Sequence, residues 1–168
     1  ANTGKSTAIN LIVSMFPPNS HAILASNQEA VFGLEGPSDK HLFACPDMPS
    51  NMKNTLDSAL LQVMISGESI NVPRKGKKAS TIPAWKAHLL FGSNFLPDYP
   101  DASGAISRRF AIIPYETIVY RRDPSLQSKI QSTKLVTVLL RCIHRYRAFL
   151  HIHRDDDILT LQDRYCHI

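Results

Sequence analysis

The chain opens Ala-Asn-Thr-Gly-Lys-Ser-Thr and runs straight into an apolar stretch, and this junction constrains the fold more than any other feature. Residues 5–16 (Lys-Ser-Thr-Ala-Ile-Asn-Leu-Ile-Val-Ser-Met-Phe) are apolar on nearly every face, and Pro17-Pro18 stops any helix there. A Gly-Lys-Ser-Thr turn opening a helix apolar enough to be buried matches the back half of the G-x-x-x-x-G-K-[ST] phosphate loop. In that loop, backbone N–H groups cradle phosphate oxygens, the lysine reaches the β/γ oxygens and the next hydroxyl holds Mg²⁺. Asn2, Thr3, Gly4, Lys5, Ser6 and Thr7 are therefore the nucleotide-binding candidates, with Lys5 on the phosphates and Ser6 on the metal. The helix would aim its positive end at the same anion. The leading glycine of the pattern would fall before Ala1 and there is no initiator Met, so the chain reads as a fragment of something longer. Taken alone, Gly-Lys-Ser-Thr is equally a surface turn leading into a helix.

The order of elements downstream argues for an α/β sheet, parallel in its core. Short apolar stretches at 22–25 and 41–45 read as strands. Residues 54–66 carry Leu56, Ala59, Leu60, Val63 and Met64 at helical spacing, with Asn54 or Thr55 as the cap and Gly67 at the end. From Ile70 to Ile82, β-branched and apolar residues flank Arg74-Lys75-Gly76-Lys77-Lys78, which reads as a β-hairpin with a basic tip. His88 to Phe91 reads as a buried strand, closed by Gly92-Ser93-Asn94, and Ala111-Ile112-Ile113 looks strand-like. Residues 134–150 repeat Leu135, Leu139, Ile143, Tyr146 and Leu150 along one face, an amphipathic helix of the packing kind, before a polar end. The division is a core at 1–120 and a helical segment at 121–168.

A phosphate loop needs a carboxylate at the end of a neighbouring strand to hold Mg²⁺ and orient water. Leu42-Phe43-Ala44-Cys45-Pro46-Asp47 supplies one in Asp47, although an aspartate beside a proline is also ordinary turn chemistry. Asn94, at the end of the next apolar strand, would hydrogen-bond the γ-phosphate or the attacking water. Ser107-Arg108-Arg109-Phe110 then offers two candidates for an arginine finger. Each feature has a bland counterpart: a loop asparagine, a solvated arginine pair. Four of them in order, each ending a strand or beginning a helix, make the stronger case.

Composition narrows the class without naming it. A hydrophobic fraction of 43% and a charged fraction of 20% fit a folded domain, and no apolar run approaches the roughly 20 residues that span a bilayer. There is no secretory signal, and the three cysteines (Cys45, Cys142, Cys166) form no paired motif, so a reduced, intracellular setting is expected. The net charge of +5 is compatible with nucleic acid as a partner.

The wording of these motifs resembles the superfamily 3 helicases of large DNA viruses, specifically the C-terminal motor of their primase–helicase proteins. The resemblance rests on Asn-Thr-Gly-Lys-Ser-Thr (2–7), Cys-Pro-Asp (45–47), Val-Met-Ile-Ser-Gly-Glu-Ser-Ile-Asn-Val-Pro-Arg-Lys (63–75), Phe-Gly-Ser-Asn (91–94) and Gly-Ala-Ile-Ser-Arg-Arg-Phe (104–110), and covers residues 1 to about 115. It implies an AAA+-type P-loop ATPase, using ATP and Mg²⁺, that assembles into a ring, usually a hexamer, around one DNA strand. Lys5, Ser6, Asp47 and Asn94 would serve their own subunit's site, and Arg108 or Arg109 would reach into the neighbour's. The family's channel hairpin matches residues 70–82, which makes Arg74, Lys75, Lys77 and Lys78 the contacts for single-stranded DNA. Lysines on a short hairpin grip phosphates without reading sequence, as translocation requires. Outside this context a basic hairpin is more often protection of a sheet edge. A primase domain would precede the motor in the same polypeptide, no membrane would be involved, and the location would be host cytoplasm or nucleus. Two departures stand out. Many members carry paired acidic residues where this chain has Pro46 before a single Asp47, leaving Glu68 as a second candidate for the base. The strand that normally precedes the phosphate loop, central in such sheets, would also lie before Ala1.

Other readings compete. Another P-loop enzyme, such as a nucleotide or small-molecule kinase, would need an acceptor pocket and a lid, and has no use for the basic hairpin. A non-catalytic nucleic-acid-binding module would use Lys75, Lys77, Lys78 and Trp85, and leaves Lys5, Asp47 and Asn94 without roles. A metal site from His151, His153, Cys166 and His167 fits no established zinc spacing.

Overall fold

Leu42–Cys45 is the strand around which the rest is laid down: all four residues are buried. The computed structural model describes residues 3–24, 34, 36–48, 56–74, 77–95 and 109–153, with the side chains of residues 73, 74 and 77 outside that description. In chain order these form α1 (Lys5–Ser14), β1 (His21–Ile23), a 3₁₀ turn (Gly36–Asp39), β2 (Leu42–Cys45), α2 (Ser58–Ser66), β3 (Ile70–Arg74), β4 (Lys77–Ile82), β5 (His88–Phe91), α3 (Leu126–Thr133) and α4 (Leu135–Ile152).

The three strands β1, β2 and β5 form a parallel sheet with β2 in the middle. Its register pairs His21 with Leu42, and Leu42 with His88. A strand buried on both faces must be apolar throughout, which explains the Leu-Phe-Ala-Cys run. Its side chains alternate between two clusters, as the two-residue period of a strand requires. Leu42 and Ala44 meet Ile9 and Val13 of α1, with Phe16 and Leu90 packed alongside. Phe43 and Cys45 point the other way, into a larger cluster with Leu56, Met64, Ile70, Val72, Trp85 and Ala87. There the Phe43 ring meets the Trp85 and Phe91 rings edge to face, at centroid separations of 6.0 and 6.5 Å. Helix α1 thus covers one sheet face, while α2 and the antiparallel β3–β4 hairpin cover the other. This is an α/β architecture with helices flanking a parallel sheet, compatible with a P-loop fold.

Several expectations need correction. Helix α2 starts later than its apolar spacing suggests: Asp57, not Asn54 or Thr55, is its cap, and its carboxylate accepts a hydrogen bond from the Leu60 N–H at 2.8 Å. Residues 54 and 55 lie outside the described residues. Leu56 and Leu61, both buried, hold the positions just before the cap and four residues after it, the spacing of a hydrophobic staple. Gly67 ends the helix as expected, at φ 70°, in the left-handed region where glycine has no Cβ penalty. Strand β1 is Ala22's strand but begins at His21, and Ala25 lies outside the description. Strand β5 has its expected bounds but is not buried: His88 is exposed and Leu89, Leu90 and Phe91 are half-buried. Ala111-Ile112-Ile113 is not a strand: no described strand pairs with it, and Ile113 is 73% exposed. A β-branched run becomes a strand only where a ladder receives it.

Helix α1 is less enclosed than its composition implies. Ile9 and Val13 are buried but Ile12 is exposed, because a single sheet face covers one side of the helix. The helix expected over 134–150 is present as α4, and a second helix, α3, for which no expectation was stated, precedes it across Lys134. Neither buries a residue, so α4 is amphipathic but not packed along the face that its sequence marks out. Helix α3 contacts α1 and α4. No helix of the described residues is long and apolar enough to cross a membrane.

Candidate functional site

In a parallel sheet the carboxyl ends of all strands open on the same edge, where loops carry the polar groups. Here the carboxyl ends of β2 and β5 are joined by continued backbone pairing. The Gly92 N–H donates to the Cys45 carbonyl at 2.8 Å, and the Met48 N–H donates to the Gly92 carbonyl at 2.7 Å. Pro46 and Asp47 are thereby carried along that edge next to Gly92, and Asn94 stands two residues beyond.

Gly92 is what lets these parts come together. A Cβ at this position would lie 2.6 Å from the Ile9 Cδ1 and 2.6 Å from the Pro46 carbonyl oxygen. The strand end, the neighbouring loop and the buried face of α1 therefore meet at a point with no room for a side chain. No role was expected for Gly92; its place directly after an apolar strand was the available signal.

Helix α1 begins on the same edge. Gly4 precedes it at φ 84° and ψ 2°, a left-handed conformation, and its carbonyl accepts from the Ala8 N–H at 2.9 Å. A Cβ at Gly4 would meet nothing within 4 Å, so the requirement is conformational rather than steric. Glycine provides no capping side chain, and the first turn holds no acidic residue. Among the described residues no side chain caps the first N–H groups of the helix, which lie at the positive end of the macrodipole. The Thr3 hydroxyl is buried and has no hydrogen-bond partner among the described residues.

Lys5 and Asn94 are brought into direct contact. The Lys5 Nζ donates to the Asn94 Oδ1 at 2.6 Å, linking the first turn of α1 to the end of β5. A cation held at an uncapped helix start, beside a neutral amide on the carboxyl edge of a parallel sheet, is an arrangement that attracts an anion. Ser6 is exposed on the first turn and Thr7 half-buried. Asp47 is exposed on the same edge, one strand over from Asn94. Cys45, two residues before it, is buried, and desolvation raises its thiol above the ordinary value; it belongs to the core.

The remaining candidates are placed less completely. Asn2, Lys75 and Arg108 lie outside the described residues, as do the side chains of Arg74 and Lys77. The hairpin that carries them pairs Ile70 with Ile82 and Arg74 with Lys77, with a register shift between Val72 and Arg74, and Lys78 is exposed on β4. Arg109 is half-buried, and Glu68 is exposed just after α2. Trp85 is core: it is 4% exposed, with its indole N–H donating to the Ala87 carbonyl at 2.8 Å. A ring so placed cannot stack on a base, which removes Trp85 from the binding-module reading. Among the described residues no group of three or more histidines, cysteines, aspartates or glutamates is placed to hold a metal, and Cys166 and His167 lie outside them.

No curated protein matches the chain. The model of a family of unknown function, DUF5906, matches residues 1–109, the span that holds Gly4, Lys5, Asp47, Gly92 and Asn94. The chain belongs to the DUF5906 family.

Proposed function

We propose that this chain is the ATP-hydrolysing motor of a DNA helicase of the superfamily 3, AAA+ type, working as a ring on single-stranded DNA. The observation that carries the reading is the Lys5–Asn94 hydrogen bond. A lysine after Gly4 and an asparagine 89 residues later, on the adjoining strand end, are the two groups such a motor needs on one phosphate. In this reading Lys5 binds the β/γ oxygens, the N–H groups of the first turn of α1 hold the phosphates, and Asn94 orients the attacking water.

The residues suit a nucleotide with Mg²⁺. Among the described residues the buried Thr3 hydroxyl has no hydrogen-bond partner and no side chain caps the start of α1, so both can serve a ligand at the loop. Mg²⁺ is commonly held by one or two protein oxygens, phosphates and water rather than by a full protein cage, which is what Ser6 and Asp47 would provide. When bound, the metal would neutralise charge on the phosphates. Arg108 or Arg109 would act on a neighbouring subunit's site. Arg74, Lys75, Lys77 and Lys78 on the hairpin would track the DNA backbone.

The test is ATP hydrolysis by the intact protein, with and without single-stranded DNA, beside Lys5→Ala. Hydrolysis that DNA stimulates and Lys5→Ala abolishes supports the motor. Hydrolysis indifferent to DNA moves the chain to another class of P-loop enzyme, and the absence of nucleotide binding refutes both.

A further inference from the structure

Helix α4 presents a seam that the other described residues leave open. Val136, Leu139, Ile143, Tyr146 and Leu150 are spaced 3, 4, 3 and 4 residues apart, the a/d pattern of a coiled coil. At about 100° per residue they share one stripe of the helix. All five are exposed, from 37% at Leu139 to 70% at Val136. Leu135, Val138 and Phe149, along one flank, are half-buried, and α3 packs against α4.

The charges decide what fits this seam. Residues 124–153 contain no acidic side chain, and Arg141 and Arg145 project from the side of α4 opposite the seam. An acidic groove closing over the apolar stripe would leave these cations behind it, unmatched. A helix lying on an anionic bilayer gains most from cations at its apolar boundary, and here only Arg147 stands there. A helix of the same heptad pattern needs no countercharge along the seam. If it ran antiparallel with Ile143 at the centre, it would set Arg147 against the layer of Leu139 rather than against a second arginine.

We infer that the a/d seam of α4 is a self-association surface that takes α4 of a second copy of this chain. A single five-residue stripe is small beside a standard interface, so the pair is weak and reversible. Such a contact is isologous and closes on two copies, whereas ring contacts run head to tail, so the two use different surfaces. The inference does not rest on the nucleotide reading.

Sedimentation equilibrium of the full-length protein without nucleotide, over a wide concentration range, tests it. The expected result is a concentration-dependent monomer–dimer equilibrium. Ile143→Asp, and independently Tyr146→Asp, should raise the dissociation constant at least tenfold, with the helical circular dichroism of the monomer retained. Arg145→Asp on the far side and Lys5→Ala should leave it unchanged, which separates this surface from the nucleotide site. A protein monomeric throughout, or a dimer indifferent to both seam variants, overturns the proposal. So does co-sedimentation of a monomeric protein with phosphatidylserine–phosphatidylcholine vesicles that Ile143→Asp abolishes, because the stripe would then belong to a lipid surface.

Discussion

The Nζ of Lys5 and the Oδ1 of Asn94 are 2.6 Å apart, a hydrogen bond that joins the first turn of α1 to the end of β5. The contact is exposed, so it contributes little to stability; exposed polar pairs are worth roughly 0–1 kcal/mol. Its value is positional, because it places a cation and an amide at one point on the carboxyl edge of the sheet.

From this the effects of Lys5→Ala and Asn94→Ala should separate. Both should leave the unfolding free energy within about 1 kcal/mol of the native chain. Lys5→Ala should weaken nucleotide binding and abolish hydrolysis. Asn94→Ala should retain binding while turnover falls on the order of 10²-fold, the usual consequence of removing one well-placed polar group from a transition state. Titration with a fluorescent ATP analogue beside steady-state hydrolysis would show it; equal loss of binding in both variants would mean that Asn94 only positions Lys5.

Gly92 is under a steric constraint that a substitution should expose. Gly92→Ala puts a methyl 2.6 Å from both the Ile9 Cδ1 and the Pro46 carbonyl oxygen. The isoleucine can yield by rotation but the carbonyl cannot, so the cost should be about 1–3 kcal/mol, the range for overpacking. Adding Ile9→Val removes the Cδ1 and should recover part of that loss and no more. Urea denaturation of the single and double variants measures both. Full recovery would locate the conflict in the side chain alone.

Much of this fold was legible where local chemistry decides the outcome. Pro17 ends α1, the Leu-Phe-Ala-Cys run gives the central strand, Gly67 ends α2, and the basic run at 74–78 marks where β3 gives way to β4. What could not be read depends on partners distant in sequence. Whether Ala111-Ile112-Ile113 becomes a strand turns on an available ladder, and whether the α4 stripe is covered turns on a neighbour; neither is written locally. Asp57 does not stand out as the cap because Leu56, one residue earlier, fits the helical period while serving as the staple before it. For the site, Lys5 and Asn94 were named separately, but their contact spans 89 residues and needed the register of β2 against β5 to appear.

The cap of α2 gives a local measurement. Asp57 accepts the Leu60 N–H at 2.8 Å, and Asp57→Ala should cost about 1 kcal/mol, within the 0.5–2 kcal/mol range of cap removals. Asp57→Asn should recover most of it, since the amide oxygen can accept the same bond. Thermal denaturation of the two variants tests this, and equal losses would mean that the carboxylate's charge rather than the cap bond matters.

If the hairpin holds DNA, its cations should act as a set that is separate from the nucleotide site. Replacing Lys75, Lys77 and Lys78 with alanine should leave basal hydrolysis in place, remove its stimulation by single-stranded DNA, and lower the salt dependence of binding by up to three phosphate contacts, roughly 0.7 in log–log slope for each. Fluorescence anisotropy across a salt series reads the slope. An unchanged slope would exclude the hairpin from the DNA path.

The last expectation concerns pH and the start of α3. Asp123 accepts hydrogen bonds from the Ser125 hydroxyl and from the Ser125 N–H at 2.9 Å, and Lys129 reaches its other oxygen at 3.0 Å. The Ser125 hydroxyl, followed by Lys129, holds the carboxylate in its charged form, so its pKa falls from an ordinary 3.8 to about 2. A carboxylate whose pKa is lower in the folded than in the unfolded chain contributes stability that is complete above the unfolded value and is lost as pH falls through the folded one. The window for Asp123 therefore lies between about pH 4 and pH 2. Over that interval the first turn of α3 should loosen, while nothing at this site should change between pH 5 and 8. Carboxyl carbon NMR of Asp123 should titrate near 2. Ser125→Ala should move that titration up, toward 3.8, and Lys129→Gln should move it by less, because the serine hydroxyl is the larger cause. A larger shift from Lys129→Gln would reverse that order and assign the start of α3 to the ion pair instead.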